Sequence, residues 1–238
     1  GGWHVLMFIF LQIVAYVACI FVSYLGGSVN NAIIICRILG YDIRNLGSGH
    51  PGAMNMVRSV GLWWGALTLF MDAIKGALPA LLGWYLLGTP FSFDGSRIGA
   101  CVCGLGVIIG HIFPIYYKFK GGKGVASTLG ICIVLNPWLG LASFVMLLIV
   151  IIVTKIGFIG SFVGVGIPLI VESVREFYMG DYVGGVALLA ILAAIIFMHR
   201  KNIERLVLGT ENKINLFAKK NKKDKPSGKK DDKADLRF

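Results

Sequence analysis

Apolar residues gather along the chain in seven blocks, at roughly 4–25, 61–87, 98–117, 126–136, 138–154, 157–171 and 183–198, separated by stretches rich in Gly, Pro and charge. Several of them approach the ~20 residues with which a helix crosses bilayer hydrocarbon. A soluble domain of this size has no need of such runs. The pattern predicts an all-α membrane protein, a bundle of about seven transmembrane helices. The fourth, sixth and seventh blocks are short, and the fourth and fifth meet at Asn136-Pro137, where a loop between two helices is preferred to a kink within one. No A-x-A-like cleavage site follows the first block, so it reads as a spanning helix and not as a signal peptide.

Composition agrees with the pattern. Hydrophobic residues make up 56% of the chain and charged residues 15%, against about 25% charged in soluble domains, and the mean hydropathy is +0.77. The net charge of +11 would suit nucleic acid, but the positions of the charges point to topology. With the N-terminus outside and seven alternating helices, the cytoplasmic segments are 26–60, 118–125, a turn near 155 and 199–238, and they hold 20 of the 23 Lys and Arg residues. Arg97 and Arg175 fall on the other side with Asp94, Glu172, Glu176 and Asp181, and Lys75 lies within a block. The expected location is therefore a membrane, multi-pass, with the C-terminus cytoplasmic and no nucleic-acid partner. Residues 1–217 read as the transmembrane domain. The basic segment 218–238 reads as a disordered tail, either solvated and reinforcing orientation or drawn to anionic membrane lipid. The five cysteines, Cys19, Cys36, Cys101, Cys103 and Cys132, lack metal-like spacing and read as small apolar packers, so no metal or cofactor is expected. No internal repeat is present, which disfavours the repeat-built transporters.

Three polar clusters interrupt the apolar pattern, and the topology puts all three on the cytoplasmic side. The first, Asn45 to Arg58, sets glycines and a proline among Ser48, His50, Asn55 and Arg58. Glycine lets backbone N–H groups turn to an anion, and arginine clamps phosphate in a bidentate way. The alternative is a surface loop whose arginine snorkels to headgroups. The second runs from Gly110-His111 to Lys118-Phe119-Lys120-Gly121-Gly122-Lys123-Gly124 and on to Thr128. It is not a P-loop, since Tyr117 stands where glycine is required and Gly124 where a hydroxyl is required. Gly121, Gly122 and Gly124 with Lys123 instead form a Gly-Gly-Lys-Gly nest opening into a helix N-terminus, a setting for phosphate. Lys118 and Lys120 read as topology-setting flanks. In the third cluster, after the last block, His199 and Asn202 share a helical face, as do Asn202 and Arg205. Asp72 and Lys75, three apart within a block, must face the bundle and pair, because each charge costs about 2.5–3.5 kcal/mol at membrane depth.

Together these clusters resemble the bacterial integral-membrane acyl-phosphate:glycerol-3-phosphate acyltransferases. That family's motifs read approximately GSGNxGATNxxR, HxFPxxxxFKGGKGVAT and HRxNIxRLxxGxE. The third is matched from His199 to Glu211, and the second from His111 through Ala126, with Ser127 at the usual threonine. Asp72-x-x-Lys75-Gly76 and Tyr24-Leu25-Gly26-Gly27-Ser28 also resemble family runs. The first motif departs twice: His50 takes the asparagine position and Met54 the threonine, while Ser48, Asn55 and Arg58 are kept. The resemblance implies transfer of a fatty acyl group from acyl-phosphate to the 1-hydroxyl of sn-glycerol 3-phosphate, giving lysophosphatidic acid and phosphate, at the bacterial inner membrane with the site facing the cytoplasm. It implies that Ser48, Arg58 and Lys123 hold substrate phosphates, that His199 and Asn202 orient the glycerol phosphate, and that Gly121, Gly122 and Gly124 shape the donor nest. Asn55, His111, Asp72 and Lys75 would support them. The proton of the hydroxyl goes either to a substrate phosphate or to His199. The acyltransferases with an HxxxxD dyad are different, since Tyr116 and Glu204 stand at the aspartate position after His111 and His199. A transporter or scramblase of anionic lipid is the other class considered, and it would need polar sites open to both faces.

Overall fold

The computed structural model describes residues 2–87 and 97–214, so the expected boundary at 217, the tail and Asp94 lie outside the described residues. The elements are α1 (Gly2–Ser28), α2 (Asn31–Ile38), α3 (Ala53–Ser59), α4 (Leu62–Leu86), α5 (Arg97–Ile112), α6 (Val125–Leu135), α7 (Pro137–Thr154), α8 (Gly157–Ser161), α9 (Ile167–Tyr178), α10 (Tyr182–Met198) and α11 (Arg200–Val207). A π-helical stretch, Phe162–Gly166, joins α8 to α9.

Five helical units among the described residues are long and apolar enough to cross a membrane: Gly2–Ile38, Leu62–Leu86, Arg97–Tyr117, Pro137–Thr154 and Gly157–Tyr178. The pair α10 and α11, bent by 51°, makes a sixth if taken as one span. The count is therefore five or six where seven blocks predicted seven. The difference lies in α6, whose 11 residues reach only ~16 Å at about 1.5 Å per residue, half of the ~30 Å hydrocarbon layer. Both of its ends are set locally. Gly124 precedes it with φ 84°, and Asn136 leaves the helix to cap α7, its Oδ1 accepting from Leu139 N–H at 3.1 Å ahead of Pro137. Asn136-Pro137 thus separates two helices, as expected.

Small residues decide the packing. The buried positions of α4 are Gly65, Thr68, Asp72, Gly76, Ala80 and Gly83, one stripe at helical spacing, which lets α5 and α6 approach backbone to backbone. At Gly76 an added Cβ would collide with the carbonyl of Ser127, and at Gly130 with that of Ala73. α5 is the central helix, with most of its residues buried. Around it lies the apolar core, with Ile108, Ile112, Leu129, Ile131, Leu169, Leu188 and Ile191 drawn from α5, α6, α9 and α10. α1 instead turns Phe10, Val17 and Phe21 outward, as a helix facing lipid must.

The two ends of the bundle differ. At one end, Arg97 at the start of α5 meets two buried carboxylates of α9, with Nη2 2.5 Å from Glu172 Oε2 and Nε 2.6 Å from Glu176 Oε1, and also donates to Leu135 O at 2.7 Å. Asn136 Nδ2 donates to Glu172 Oε1 at 3.0 Å. Glu172 and Glu176, read from sequence as companions of loop cations, are buried helix residues that close this end. At the other end α5, α7 and α10 finish, α4, α6 and α8 begin, and all three polar clusters lie.

Candidate active site

The first cluster folds into a loop that one side chain holds together. Asn55, buried on α3, accepts from Ser48 N–H at 3.0 Å and from the Ser59 hydroxyl at 3.3 Å, and its Nδ2 donates to Leu46 O at 2.9 Å. Gly47 and Gly49 take left-handed backbone, φ 54° and 70°, and a Cβ on Gly47 would strike Asn55 Oδ1. The loop so wound carries Ser48 and His50 to a cavity of about 110 Å³, and α3 carries Met54 and Arg58 there. The Arg58 Nε donates to Met54 O at 3.3 Å. Burial lowers the pKa of its guanidinium from the ordinary value, opposed by the nearby Glu211 carboxylate.

The second cluster supplies the opposite wall through Gly122, Lys123 and Gly124. Here the nest expected from the glycines is smaller than predicted. Gly121 N–H donates to Ile112 O at 3.1 Å and Gly122 N–H to His111 O at 3.0 Å, so these two amides close the turn and are not offered to an anion. Both positions also require glycine for space, since a Cβ on Gly121 would strike His111 O and one on Gly122 the His111 Nε2. Gly121 does not line the cavity; Gly124 does, followed by Val125 and Ala126 at the N-terminus of α6. Lys123 Nζ donates to Asn202 Oδ1. Burial pulls the pKa of Lys123 down to about 8, partly offset by Glu211 and reinforced by Arg205 and Arg58.

His199 caps α10, buried, with its ring set between Phe158 and Phe162, centroids 6.3 and 5.4 Å away. Its Nδ1 lies 2.9 Å from Ile195 O. A carbonyl only accepts, so Nδ1 carries the hydrogen and Nε2 remains an acceptor. One turn on, Asn202 receives Lys123 at Oδ1 and donates through Nδ2 to Glu211 Oε1 at 2.7 Å, while Arg205 Nε meets Glu211 Oε2 at 2.9 Å. Glu211 itself sits on a strap returning across the bundle end, held where Ile214 N–H donates to Lys155 O at 2.7 Å. His199, Asn202 and Glu211 all line the cavity.

Asp72 and Lys75 pair at 3.2 Å within the bundle. Asn31 Nδ2 donates to Asp72 Oδ1 at 2.8 Å, and Lys75 Nζ reaches both Val29 O and His111 Nδ1 at 2.8 Å. Since an ammonium only donates, His111 accepts at Nδ1 and directs Nε2 to Gly122. Asp72 and His111 touch the cavity and Lys75 stands behind them. Residues from all three sequence clusters therefore converge on one cavity lined by Arg58 and Lys123; its two carboxylates, Asp72 and Glu211, are paired with Lys75 and Arg205 from outside the lining, which leaves a cationic balance suited to anions. Sequence reasoning gave no role to Glu211, although it closes the third motif, or to Phe158 and Ser161 of α8, which line the apolar side with Leu147 and Ile151; the Gly157-x-x-Gly160-Ser161 interruption was the available signal.

The sequence profile described as glycerol-3-phosphate acyltransferase matches residues 17–209. The chain is 36% identical over 195 residues to the glycerol-3-phosphate acyltransferase of Thermoanaerobacter sp. (strain X514), covering 81% of this chain and 92% of the relative. It is 34% identical over 209 residues to that of Clostridioides difficile, covering 86% and 98%. Among solved structures, it is similar to PlsY (YgiH), an integral membrane glycerol 3-phosphate acyltransferase. The glycerol 3-phosphate form of PlsY aligns with TM-score 0.72 and 32% identity over 84% of this chain and 96% of that one. The lysophosphatidic acid form aligns with TM-score 0.70 and 31% identity. With motifs, fold and site in agreement, the chain belongs to the glycerol-3-phosphate acyltransferase family.

Proposed function

We propose that this protein transfers a fatty acyl group from acyl-phosphate to the 1-hydroxyl of sn-glycerol 3-phosphate, releasing lysophosphatidic acid and phosphate as a step of phospholipid synthesis. The observation that carries the reading is the convergence of Arg58, Lys123, His199 and Asn202 on one cavity that is cationic on one side and apolar on the other. Two anionic phosphates need cations, and an acyl chain needs the wall made by Leu69, Leu129, Leu147, Ile151 and Phe158. The donor is already a mixed anhydride, so no enzyme nucleophile is required. The acceptor oxygen forms the new ester bond at the acyl carbon, and the carbonyl carbon–oxygen bond to phosphate breaks. The acceptor's proton ends on the departing phosphate, passed directly or through the Nε2 of His199, the nitrogen left free to accept.

In this reading Arg58, Lys123 and Ser48 hold phosphate, with the first-turn amides of α6 behind Gly124 assisting. His199 and Asn202 orient the glycerol phosphate. Gly121, Gly122, Asn55, His111, Asp72 and Lys75 keep these groups in place. Seven crossings, with the short α6 completing the traverse to α7, set the N-terminus outside and the site at the cytoplasmic face of the bacterial inner membrane, following the Lys and Arg distribution. The polar groups of the three clusters gather at one end while Arg97, Glu172 and Glu176 close the other, which favours catalysis over a two-sided transport path. The test is incorporation of labelled glycerol 3-phosphate into lysophosphatidic acid by purified protein in lipid supplied with palmitoyl-phosphate. Wild type should turn over, and Lys123→Ala and Arg58→Ala should each lose at least about a hundredfold, the scale of one removed charged contact in a water-excluded site. Variants as active as wild type would refute the assigned roles.

A further inference from the structure

His50 lines the cavity, yet the chemistry above gives it no task. It stands where the approximate family pattern has asparagine. The loop around it is fixed: Gly49 N–H donates to Leu46 O at 2.9 Å, Ser48 N–H is tied to Asn55, and Pro51 O accepts from Asn30 Nδ2 at 3.3 Å. Among the described residues, no protein group hydrogen-bonds to either nitrogen of its half-buried ring. The charged and titratable groups presented by the surrounding elements are Arg58 of α3, Asp72 of α4, His111 of α5, Lys123 before α6, and His199, Arg200, Lys201, Arg205 and Glu211 from the end of α10 to the strap. Asp72 is engaged by Lys75 and Asn31, and Glu211 by Arg205 and Asn202. The balance felt by His50 is therefore cationic. Burial, then Lys123, Lys201, Arg205 and Arg200, hold its pKa below that of ordinary imidazole, so these surroundings favour the neutral ring near pH 7.

We propose that His50 is a further phosphate-contacting residue of this site, which takes up a proton as a substrate phosphate enters and closes on it as an imidazolium. A phosphate monoester carries about −1.5 to −2 charge at pH 7 and reverses the sign of the field at the ring, making the charged form the favoured one. The proton comes from solvent and returns when the phosphate leaves. Asparagine in the same place donates a hydrogen bond but cannot titrate. The inference rests on the acyltransferase reading for the identity of the phosphate, acceptor or donor, and not for its presence.

The test is calorimetric binding of glycerol 3-phosphate, and separately of inorganic phosphate, to the full chain in lipid nanodiscs at pH 7.5. Two buffers of different ionisation enthalpy are used, which gives the protons exchanged per phosphate bound. His50→Asn, the residue of the family pattern, is the folded control and cancels the ligand's own proton release. Wild type is expected to take up more protons than His50→Asn, by up to one, and to bind phosphate about tenfold more tightly than His50→Ala at pH 6.5, the scale of a hydrogen bond to a charged group. That advantage should fall as pH rises through the bound-state pKa. Steady-state KM for glycerol 3-phosphate and for palmitoyl-phosphate shows which phosphate His50 meets, as the substrate whose KM rises in His50→Ala. Equal proton uptake in wild type and His50→Asn, or a KM unchanged for both substrates, overturns the proposal. Proton uptake by a wild type that shows no acyl transfer would leave His50 as a phosphate contact and refute the acyltransferase reading instead.

Discussion

Lys123 is the residue on which most of the site's electrostatics turn. Its pKa is lowered to about 8, because burial penalises the ammonium more than Glu211 favours it. The charged form persists below that value and is lost above it. Anionic substrate raises the value again by binding the cation, so affinity should weaken as pH climbs through about 8 and beyond. KM for glycerol 3-phosphate measured from pH 7 to 9.5 is expected to rise in wild type and to rise less in Lys123→Arg, whose guanidinium stays charged throughout. A flat wild-type profile would contradict this account of Lys123. Asn55 acts on stability. Replacing it with alanine strips the hydrogen bonds to Ser48, Ser59 and Leu46, all part-buried, each worth about 0.5–1.5 kcal/mol. A thermal unfolding midpoint several degrees lower, with phosphate affinity reduced at temperatures where the variant is folded, is the expected result.

At the scale of elements, what could be read from sequence followed what lipid demands. A helix in hydrocarbon must be apolar nearly all round, so α1, α4, α5 and α7 announced themselves. The extent of α6 followed too, the short block at 126–136 matching Val125–Leu135; what hydropathy did not give is the backbone that ends it, the left-handed turn at Gly124 and the cap at Asn136. Nor was the pairing of Arg97 with Glu172 and Glu176 legible: the partners are 75 and 79 residues apart, and charges near block ends look like loop residues until the helices are packed. The motifs marked Arg58, Lys123, His199 and Asn202, yet only the fold shows the amides of Gly121 and Gly122 turned inward and Glu211 drawn against Asn202. The stripe of small residues on α4 makes a sharper prediction. Gly76→Val forces a side chain into the Ser127 backbone and separates α4 from α6, which moves Lys123 with the start of that helix. Yield of folded protein by size-exclusion chromatography should fall steeply, whereas Gly26→Val, on the neighbouring α1 with open space about it, should be tolerated.

For the whole molecule, the Lys and Arg distribution and the position of the cavity make one claim about sidedness. Lys120, exposed beside the site, and Tyr178, exposed at the Arg97 end, provide its markers. A cysteine at 120 should react with a membrane-impermeant maleimide only in inside-out vesicles, and one at 178 only in right-side-out vesicles. The reverse pattern would invert the proposed topology. Sidedness matters to the chemistry because a soluble anionic acceptor must reach the cationic wall while the acyl chain remains in the bilayer, and the proposed topology puts both surfaces of the cavity at one membrane boundary.

The most direct test of the central claim is the stoichiometry of the reaction itself. Purified protein in lipid, given palmitoyl-phosphate and glycerol 3-phosphate, should release one inorganic phosphate for each lysophosphatidic acid formed, with no product from palmitoyl-CoA in its place and none from Lys123→Ala. Product from palmitoyl-CoA but not from palmitoyl-phosphate would contradict the donor assignment, and phosphate released without lysophosphatidic acid would contradict acyl transfer to glycerol 3-phosphate.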